Sequence, residues 1–247
     1  MQAREILTNL VKNAFRTRGY EVLRVPNLGD FLRSRDCDLV VDVGANAGQF
    51  ASRLRPLGYR GAILSVEPLD DVIDLLRERA ARDPLWAVKQ VAIGDRKGHT
   101  EINVSRNTVY SSLLPLADLA HKFADTDVLR VQTVEVETLD GLLAESASKR
   151  PFIKIDTQGF EQQVLSGGPR TLERCVGLLL ELPVEHLYKG VWSFPEAIVR
   201  LDELGFRLAQ ILPVNCRAGD TAAALEFDCV FRRDDQSAVV PETAAAE

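Results

Sequence analysis

The chain has 247 residues, and its 30 Lys and Arg against 36 Asp and Glu give a formal net charge of -6 at pH 7. This balance argues against a nucleic-acid-binding protein, because neutralising phosphates requires a clustered excess of Lys and Arg. A hydrophobic content of 46% and a charged content of 27% are typical of a soluble globular protein. Composition therefore favours an enzyme that acts on small molecules.

The spacing of the cysteines and the length of the apolar runs indicate in which cellular compartment the protein lies. No two cysteines form a C-x-x-C pair, so neither a zinc site nor a disulfide framework is predicted. No apolar run approaches the roughly 20 residues that span a bilayer, and the first residues lack the uninterrupted apolar stretch of a signal peptide. We expect a cytoplasmic protein with reduced thiols.

The first 34 residues carry apolar side chains at helical spacing, with basic residues opposite them. This pattern predicts a helical N-terminal extension over residues 1–34 that packs against its own domain. Contact of this helix with a membrane surface or a partner remains an alternative. The oligomeric state is not set by the sequence, and a dimer remains open.

Beyond residue 35, apolar runs of strand length alternate with helical patterns, which is typical of parallel strands joined by helical crossovers. The predicted elements are a strand over 38–43, a helix over 46–57, a strand over 61–67, a helix over 70–82 and a strand over 86–93. Two period-2 strands, 99–105 and 130–139, flank a polar segment and predict an antiparallel insertion.

The parallel pattern then resumes. The further elements are a strand over 151–156, a helix over 160–174, a strand over 176–182, a helix over 194–205 and a final strand pair over 206–212 and 224–233. Together these elements predict one α/β domain over 35–233, with a doubly wound sheet and helices on both faces. The last residues, 234–247, have little to bury, and we expect them to be disordered. A ligand should bind at the carboxyl ends of the strands.

The segment "DLVVDVGANAGQF" places Gly44 and Gly48 in a strand-to-helix turn. A dinucleotide site would normally show G-x-G-x-x-G, whereas position 49 is Gln. A carboxylate at Asp42 beside a pyrophosphate would also cost Coulomb energy. S-adenosylmethionine, which carries an ammonium and a sulfonium, removes that conflict. Glu67, at the end of the second strand, would accept hydrogen bonds from its ribose. The structural alternatives are a helix N-cap for Asp42 and a surface acid for Glu67.

Several long motifs in the same order resemble the FkbM family of S-adenosylmethionine-dependent methyltransferases over residues 35–233. They include "VVDVGANAGQFA", "GYRGAILSVEP", "VAIGDRKGHTEINVS", "FIKIDTQGFEQQVLSGG", "LELPVEHLYKG" and "LEFDCVFRR". The resemblance implies a class I, Rossmann-like fold with a mostly parallel seven-stranded sheet. It also implies a cofactor site made by Asp42, Gly44, Asn46, Gly48, Gln49, Phe50, Glu67 and Ala92. One departure is Gln158, where the family motif often has Glu.

The strand ends offer three candidate catalytic residues: Asp156, Glu181 and His186. A hydroxyl acceptor needs a base or a metal to take its proton. In one version Asp156 and Glu181 bind Mg²⁺ together with Gln158 or His186, since carboxylates suit that ion. In the other, His186 or Asp156 is the base. A loop role for His186 and a helix-dipole role for Glu161 are the structural alternatives.

The resemblance implies an enzyme that methylates a hydroxyl of a small-molecule or glycolipid acceptor, namely a sugar, a glycolipid or a polyketide-type secondary metabolite. An N-methyltransferase, an NAD(P)-dependent oxidoreductase and a non-catalytic S-adenosylmethionine-binding module remain the alternatives. Residues 105–116 would close over the acceptor or only end the antiparallel pair. Tyr188 and Trp192 would line the acceptor site, with core packing as the alternative for Trp192.

Overall fold

The computed structural model describes residues 13–17, 20, 26–117, 126–184, 188–217 and 220–234. Of the predicted helical extension over residues 1–34, residues 13–17, 20 and 26–34 are described, and residues 13–16 and Leu28–Ser34 are helical. The other residues of that extension, residues 235–247 of the predicted tail, and His186 lie outside the described residues. Every helix among the described residues is too short or too polar to cross a membrane.

Besides the helical residues 13–16, the described part of the chain contains ten strands and seven α-helices. The strands are β1 (Leu39–Val43), β2 (Ala62–Val66), β3 (Trp86–Lys89), β4 (Ala92–Gly94), β5 (Gly98–Ser105), β6 (Val128–Thr138), β7 (Pro151–Ile155), β8 (Gly177–Pro183), β9 (Phe206–Arg217) and β10 (Asp220–Arg233). The helices are α1 (Leu28–Ser34), α2 (Gln49–Leu54), α3 (Asp70–Ala80), α4 (Leu139–Leu142), α5 (Glu161–Ser166), α6 (Pro169–Arg174) and α7 (Phe194–Glu203), and Thr108–Tyr110 form a 3₁₀ turn.

Seven strands form the main sheet in the order β3-β2-β1-β7-β8-β10-β9. All neighbours are parallel except β10, which runs antiparallel to both β8 and β9. The order reverses between β1 and β7, so the carboxyl ends of these two strands border the crevice where doubly wound sheets bind ligands. The predicted fold class is confirmed.

The central strands β1 and β7 are buried along their whole length. Their side chains alternate between two core clusters: Val40 and Phe152 belong to one, and Val41 and Ile153 to the other. The helix α1 contributes to the first cluster, where the Phe31 and Phe152 ring centroids lie 5.7 Å apart. Burial on both faces explains why these strands are continuous apolar runs, as expected in a parallel sheet covered by helices.

The single strand predicted over 86–93 is wrong. The chain instead forms β3 in the main sheet and β4 in a separate three-stranded sheet, whose order is β4-β6-β5. Between the two strands, the side chain of Gln90 donates to Asp70 on α3. Apolar residues continue on both sides of Gln90, so hydrophobic pattern alone does not show the change of sheet. The predicted antiparallel pair is confirmed as β5 and β6.

The helix predicted over 160–174 is divided into α5 and α6 by two glycines. A Cβ at Gly167 would lie 2.0 Å from the carbonyl oxygen of Gly94, and one at Gly168 would lie 2.7 Å from the Leu139 side chain. These close approaches require glycine, and Pro169 then begins α6.

All four cysteines, Cys37, Cys175, Cys216 and Cys229, are free thiols, as their spacing predicts.

Candidate active site

A cavity of about 630 Å³ opens at the carboxyl ends of the central strands. One end of the cavity is formed by the glycine turn after β1, the end of β2 and the residues around Ala92. The other end is formed by residues that follow β7, by β8 and by β10, and the segment Thr108–Ser111 covers one side. The cavity wall includes six of the eight predicted cofactor residues: Gly44, Asn46, Gln49, Phe50, Glu67 and Ala92.

The glycine turn brings β1 into contact with β7. Gly44 has a left-handed backbone (φ +74°), and a Cβ there would lie 1.8 Å from the carbonyl oxygen of Asp156. Asn46 is also left-handed, with φ of +47°. Its side-chain oxygen accepts from the amide of Ala47, and its side-chain nitrogen donates to Thr108. The turn is therefore held against β7 on one side and against the covering segment on the other.

We expect Gly44→Ala to destabilise the protein more than Gly190→Ala. Gly190 is the matched control, because its φ is +79° but no atom lies within 4 Å of an added Cβ. Gly190→Ala therefore measures only the cost of placing alanine in a left-handed backbone, which is about 1–2 kcal/mol. Gly44→Ala adds the collision with Asp156, and the difference between the two free energies of unfolding in urea isolates it. Equal losses in the two variants would contradict the close approach.

Glu67 lies at the inner end of the cavity and is only 4% exposed. Its two carboxylate oxygens accept hydrogen bonds from the backbone amides of Asn46 at 2.7 Å and Leu69 at 3.0 Å. Burial raises the pKa of Glu67 to about 7, although these amide donors oppose the shift. The surface-acid alternative is therefore wrong: Glu67 is a buried, oriented carboxyl group in the cavity wall.

Asp42 is fully buried beneath the cavity, not in its wall. Its carboxylate lies 3.2 Å from the Nζ of Lys154, which also lies 3.1 Å from Asp156 and donates to the carbonyl oxygen of Gly44. Burial raises the pKa of Asp42. Burial lowers the pKa of Lys154, but the two carboxylates outweigh it and raise that pKa overall.

The expectation that Asp42 faces a cationic ligand therefore needs correction. An acid at the end of a buried central strand requires a countercharge, and Lys154 on the neighbouring strand provides it. Gly48 also lies outside the cavity wall, because its Cβ position faces the side chains of Leu76 and Trp86 at 2.8 and 3.0 Å. Its left-handed backbone begins α2 and lets that helix pack closely.

The other end of the cavity is lined by four carboxyl groups: Asp156, Glu181, Glu226 and Asp228. Glu181 shares a hydrogen bond with Glu226, and Asp228 lies opposite Glu181 in the pairing of β8 with β10. Burial, then Asp156 and Glu226, raise the pKa of Glu181 well above its usual range. Burial also raises the pKa of Asp228.

Sequence reasoning did not identify Glu226 and Asp228. The segment "LEFDCVF" alternates acids with apolar residues, which places both acids on one face of a strand. That signal was available, but only the sheet order shows that this strand pairs with β8 and brings its acids to the cavity.

Other expected residues take structural positions. The carboxylate of Glu161 accepts from the backbone amides of Thr157 and Gly159, so it fixes the loop after β7. Trp192 is 5% exposed and belongs to the main core cluster, which confirms the core-packing alternative. Among the residues that the structure describes, no three His, Cys, Asp or Glu side chains are arranged to hold a metal ion. The Mg²⁺ expectation has no support there.

Within the segment 105–116, residues Thr108–Ser111 and Leu113 line the cavity. The interpretation that this segment closes over the acceptor stays a prediction. Ser112 pairs with Asn103 through two backbone hydrogen bonds, and Leu116 forms a bridge with Tyr188. The Tyr188 hydroxyl lies 2.9 Å from the carbonyl oxygen of Tyr110. These contacts hold the 3₁₀ turn over the cavity.

Among curated proteins, the chain is similar to the 2-O-methyltransferase NoeI of Sinorhizobium fredii (strain NBRC 101917 / NGR234), with 24% identity over 160 residues. The alignment covers 62% of this chain and 66% of that protein, so the chain spans slightly less than two thirds of this relative's length.

Solved structures of methyltransferases are similar at lower identity. The precorrin-6y C5,15-methyltransferase of Geobacter metallireducens GS-15 is 12% identical, with 82% of this chain and 84% of that chain covered and a TM-score of 0.44. Magnesium protoporphyrin IX methyltransferase (ChlM) of Synechocystis PCC 6803 is also 12% identical, with 92% and 96% covered and a TM-score of 0.44.

The family model described as the methyltransferase FkbM domain matches residues 42–208, which is more than half of the chain. The match begins at the acid of the glycine turn and runs through both halves of the sheet that border the cavity. The chain therefore belongs to the FkbM family of S-adenosylmethionine-dependent methyltransferases.

Proposed function

We propose that this enzyme transfers a methyl group from S-adenosylmethionine to a hydroxyl of a sugar, carried free, on a glycolipid or on a polyketide-type metabolite. The observation that carries the proposal is the position of Asp156. Asp156 lines the cavity directly after β7, and Lys154 and Gln158 contact its two carboxylate oxygens. The relative named as a 2-O-methyltransferase supports oxygen as the acceptor atom.

The residues at the Glu67 end fit the cofactor. A buried, backbone-held carboxylate suits a ribose diol, and the missing Cβ of Gly44 leaves room for close approach to the turn. The residues that would hold the cofactor are Gly44, Asn46, Gln49, Phe50, Glu67 and Ala92. When bound, the cofactor supplies a methyl group activated by a sulfonium. Asp42 contributes indirectly, because it fixes Lys154.

The residues at the other end suit removal of a proton from a hydroxyl. Asp156 accepts that proton, because a hydroxyl is a poor nucleophile while protonated. The raised pKa of Glu181 and its shared hydrogen bond with Glu226 favour a hydrogen-bond donor at this position rather than the base. The apolar side chains of Leu113 and Leu212 line the same cavity and exclude water from the acceptor. His186 remains a candidate base.

The pKa of Glu67 gives a pH prediction. Ribose hydroxyls donate to the ionised carboxylate, so we expect the affinity for S-adenosylhomocysteine to fall as the pH drops below about 7. The fall should approach tenfold per pH unit, because binding then requires the loss of one proton. Calorimetric titration between pH 5.5 and 8.5 measures it. Glu67→Gln should bind more weakly at pH 8 and lose the pH dependence, and an unchanged dependence would contradict the role of Glu67.

A thermal-shift comparison tests the cofactor. S-adenosylhomocysteine should stabilise the protein by about 2.7 kcal/mol at a hundredfold excess over its Kd, whereas NADH should have no effect. Incubation with methyl-labelled S-adenosylmethionine and a metabolite extract then identifies the acceptor. A methylated amine would replace oxygen by nitrogen as the acceptor atom, and cofactor binding without any labelled product would favour the non-catalytic module.

The free cysteines support a cytoplasmic location, which we propose as well.

A further inference from the structure

Gln158 joins the carboxyl groups of the active site to the segment that covers it. Its Nε2 donates to the Oδ1 of Asp156 at 2.9 Å and lies 3.5 Å from the Oε1 of Glu181. Its Oε1 accepts from the hydroxyl of Tyr188 at 2.9 Å. The same hydroxyl reaches the carbonyl oxygen of Tyr110 in the 3₁₀ turn. A continuous set of polar contacts thus runs from the cover to Asp156.

The orientation of the Gln158 amide follows from its neighbours. The amide nitrogen is a donor and faces the carboxylate oxygen of Asp156, which accepts. The Tyr188 hydroxyl shares its single proton between the Gln158 amide oxygen and the carbonyl oxygen of Tyr110. A flipped amide would place its oxygen against the Asp156 carboxylate and lose the hydrogen bond to it. A glutamate would fit the Tyr188 side of this position but would present a third carboxyl group to Asp156 and Glu181.

The backbone of Gln158 is held in an unusual conformation. Its φ is +55°, in the left-handed region that residues other than Gly, Asn and Asp rarely adopt. The hydroxyl of Ser112 donates to its carbonyl oxygen at 2.7 Å, and Glu161 fixes the amides on both sides of it. Such a conformation persists only where its surroundings determine it, and it is typical of functional sites.

We propose that Gln158 is a positioning residue that orients the Asp156 carboxylate for proton removal. This assignment rests on the proposed function, because Asp156 is the proton acceptor there. Lys154 contacts Oδ2 of Asp156 and Gln158 contacts Oδ1, so the carboxylate is fixed from two sides. Gln158 adds the second contact without adding charge.

The electrostatic surroundings of Gln158 are strongly acidic. The titratable groups that face this region are Lys154 from β7, Asp156 directly after β7, Asp42 from β1, Glu181 from β8, Glu226 and Asp228 from β10, Glu161 from α5, and the hydroxyls of Tyr188 and Tyr110. A further negative charge at position 158 would therefore be opposed by most of its neighbours, and an uncharged donor is the suitable side chain.

The test compares Gln158→Glu with Gln162→Glu. Gln162 is the matched control, because it is exposed on α5 four positions away and receives the same change of charge. The first measurement is urea unfolding at pH 4.5 and pH 8. The pKa of a new carboxyl beside Asp156 and Glu181 is raised in the folded state, so stability is kept at low pH and lost as the pH rises. We expect the unfolding equilibrium constant of Gln158→Glu, relative to Gln162→Glu, to rise about tenfold or more between these pH values.

The second measurement is the pH profile of methyl transfer from labelled S-adenosylmethionine to the metabolite extract. For Gln158→Glu we expect the acid limb of this profile to move up by about one pH unit or more, with the affinity for S-adenosylhomocysteine within twofold of wild type. Gln162→Glu should overlay the wild type. Profiles of the two variants that overlay each other would overturn the proposal. If the wild type does not bind S-adenosylhomocysteine, the proposed function is overturned instead. The comparison of urea unfolding between the two variants would then still test whether Gln158 contacts the carboxyl groups of Asp156 and Glu181.

Discussion

Replacing Asp156 by Asn is expected to lower kcat by about 10²- to 10⁴-fold, the usual contribution of a general base. Asparagine keeps the size of the side chain but cannot take the proton of the acceptor hydroxyl. The affinity for S-adenosylhomocysteine should stay within a few-fold of wild type, because the Asp156 side chain contacts Lys154 and Gln158, which are not among the residues that would hold the cofactor. Single-turnover transfer of label and calorimetric titration measure the two quantities.

The control for this variant is Asp95→Asn. Asp95 is exposed after β4 and outside the cavity wall, so the same chemical change there should leave both quantities unaltered. A kcat for Asp156→Asn within threefold of wild type would remove Asp156 as the base and leave His186 as the candidate. If a chelator abolishes the activity, the result would instead support the interpretation in which Asp156 and Glu181 bind Mg²⁺.

Replacing Lys154 by Met is expected to cost about 3–5 kcal/mol of stability, the loss typical when one partner of a buried ion pair is removed. Lys154 is 6% exposed and neutralises both Asp42 and Asp156. Without it, Asp42 is a buried carboxyl group with Ser65 as its remaining hydrogen-bond donor, at 3.4 Å. Urea unfolding measures the loss, and Lys149→Met, at an exposed lysine, should cost little.

The loss should depend on pH. Burial raises the pKa of Asp42, and removing Lys154 removes the main influence that opposes this shift. A carboxyl group whose pKa is raised by folding stabilises the protein below its unfolded pKa of about 4, and this stabilisation is lost as the pH rises. The deficit of Lys154→Met should therefore be smallest near pH 4 and grow towards pH 8. Asp42→Asn combined with Lys154→Met should recover part of it, whereas equal losses for Lys154→Met and Lys149→Met would contradict the buried pairing.

The parallel core and the cofactor end of the cavity could be predicted from the sequence, because their signals are local. β1 and β7 are continuous apolar runs, and Gly44 and Glu67 follow strands directly, so the sheet topology alone places them at one edge. The pairing of Asp42 with Lys154 was not predicted. Two charges on neighbouring strands face each other only if β1 and β7 are adjacent and in register, as the pairing of Asp42 with Lys154 in that ladder shows.

The acceptor end was predicted less completely for the same reason. Asp156 follows the parallel strand β7, and Glu181 lies near the carboxyl end of the parallel strand β8, so both could be found by that rule. Glu226 and Asp228 come from β10, which runs antiparallel and carries its acids in mid-strand, so the rule does not apply to them. The division of 86–93 between two sheets was also missed, because the chain changes direction at Gln90 without a glycine or proline.

The most direct test of the account is the transfer of labelled methyl from S-adenosylmethionine to the metabolite extract, followed by identification of the labelled product. We expect a methyl ether on a sugar hydroxyl, formed by the wild type and by Asp95→Asn but at least about a hundredfold more slowly by Asp156→Asn. A product labelled on another kind of atom, or a sugar ether formed equally fast by Asp156→Asn, would contradict it.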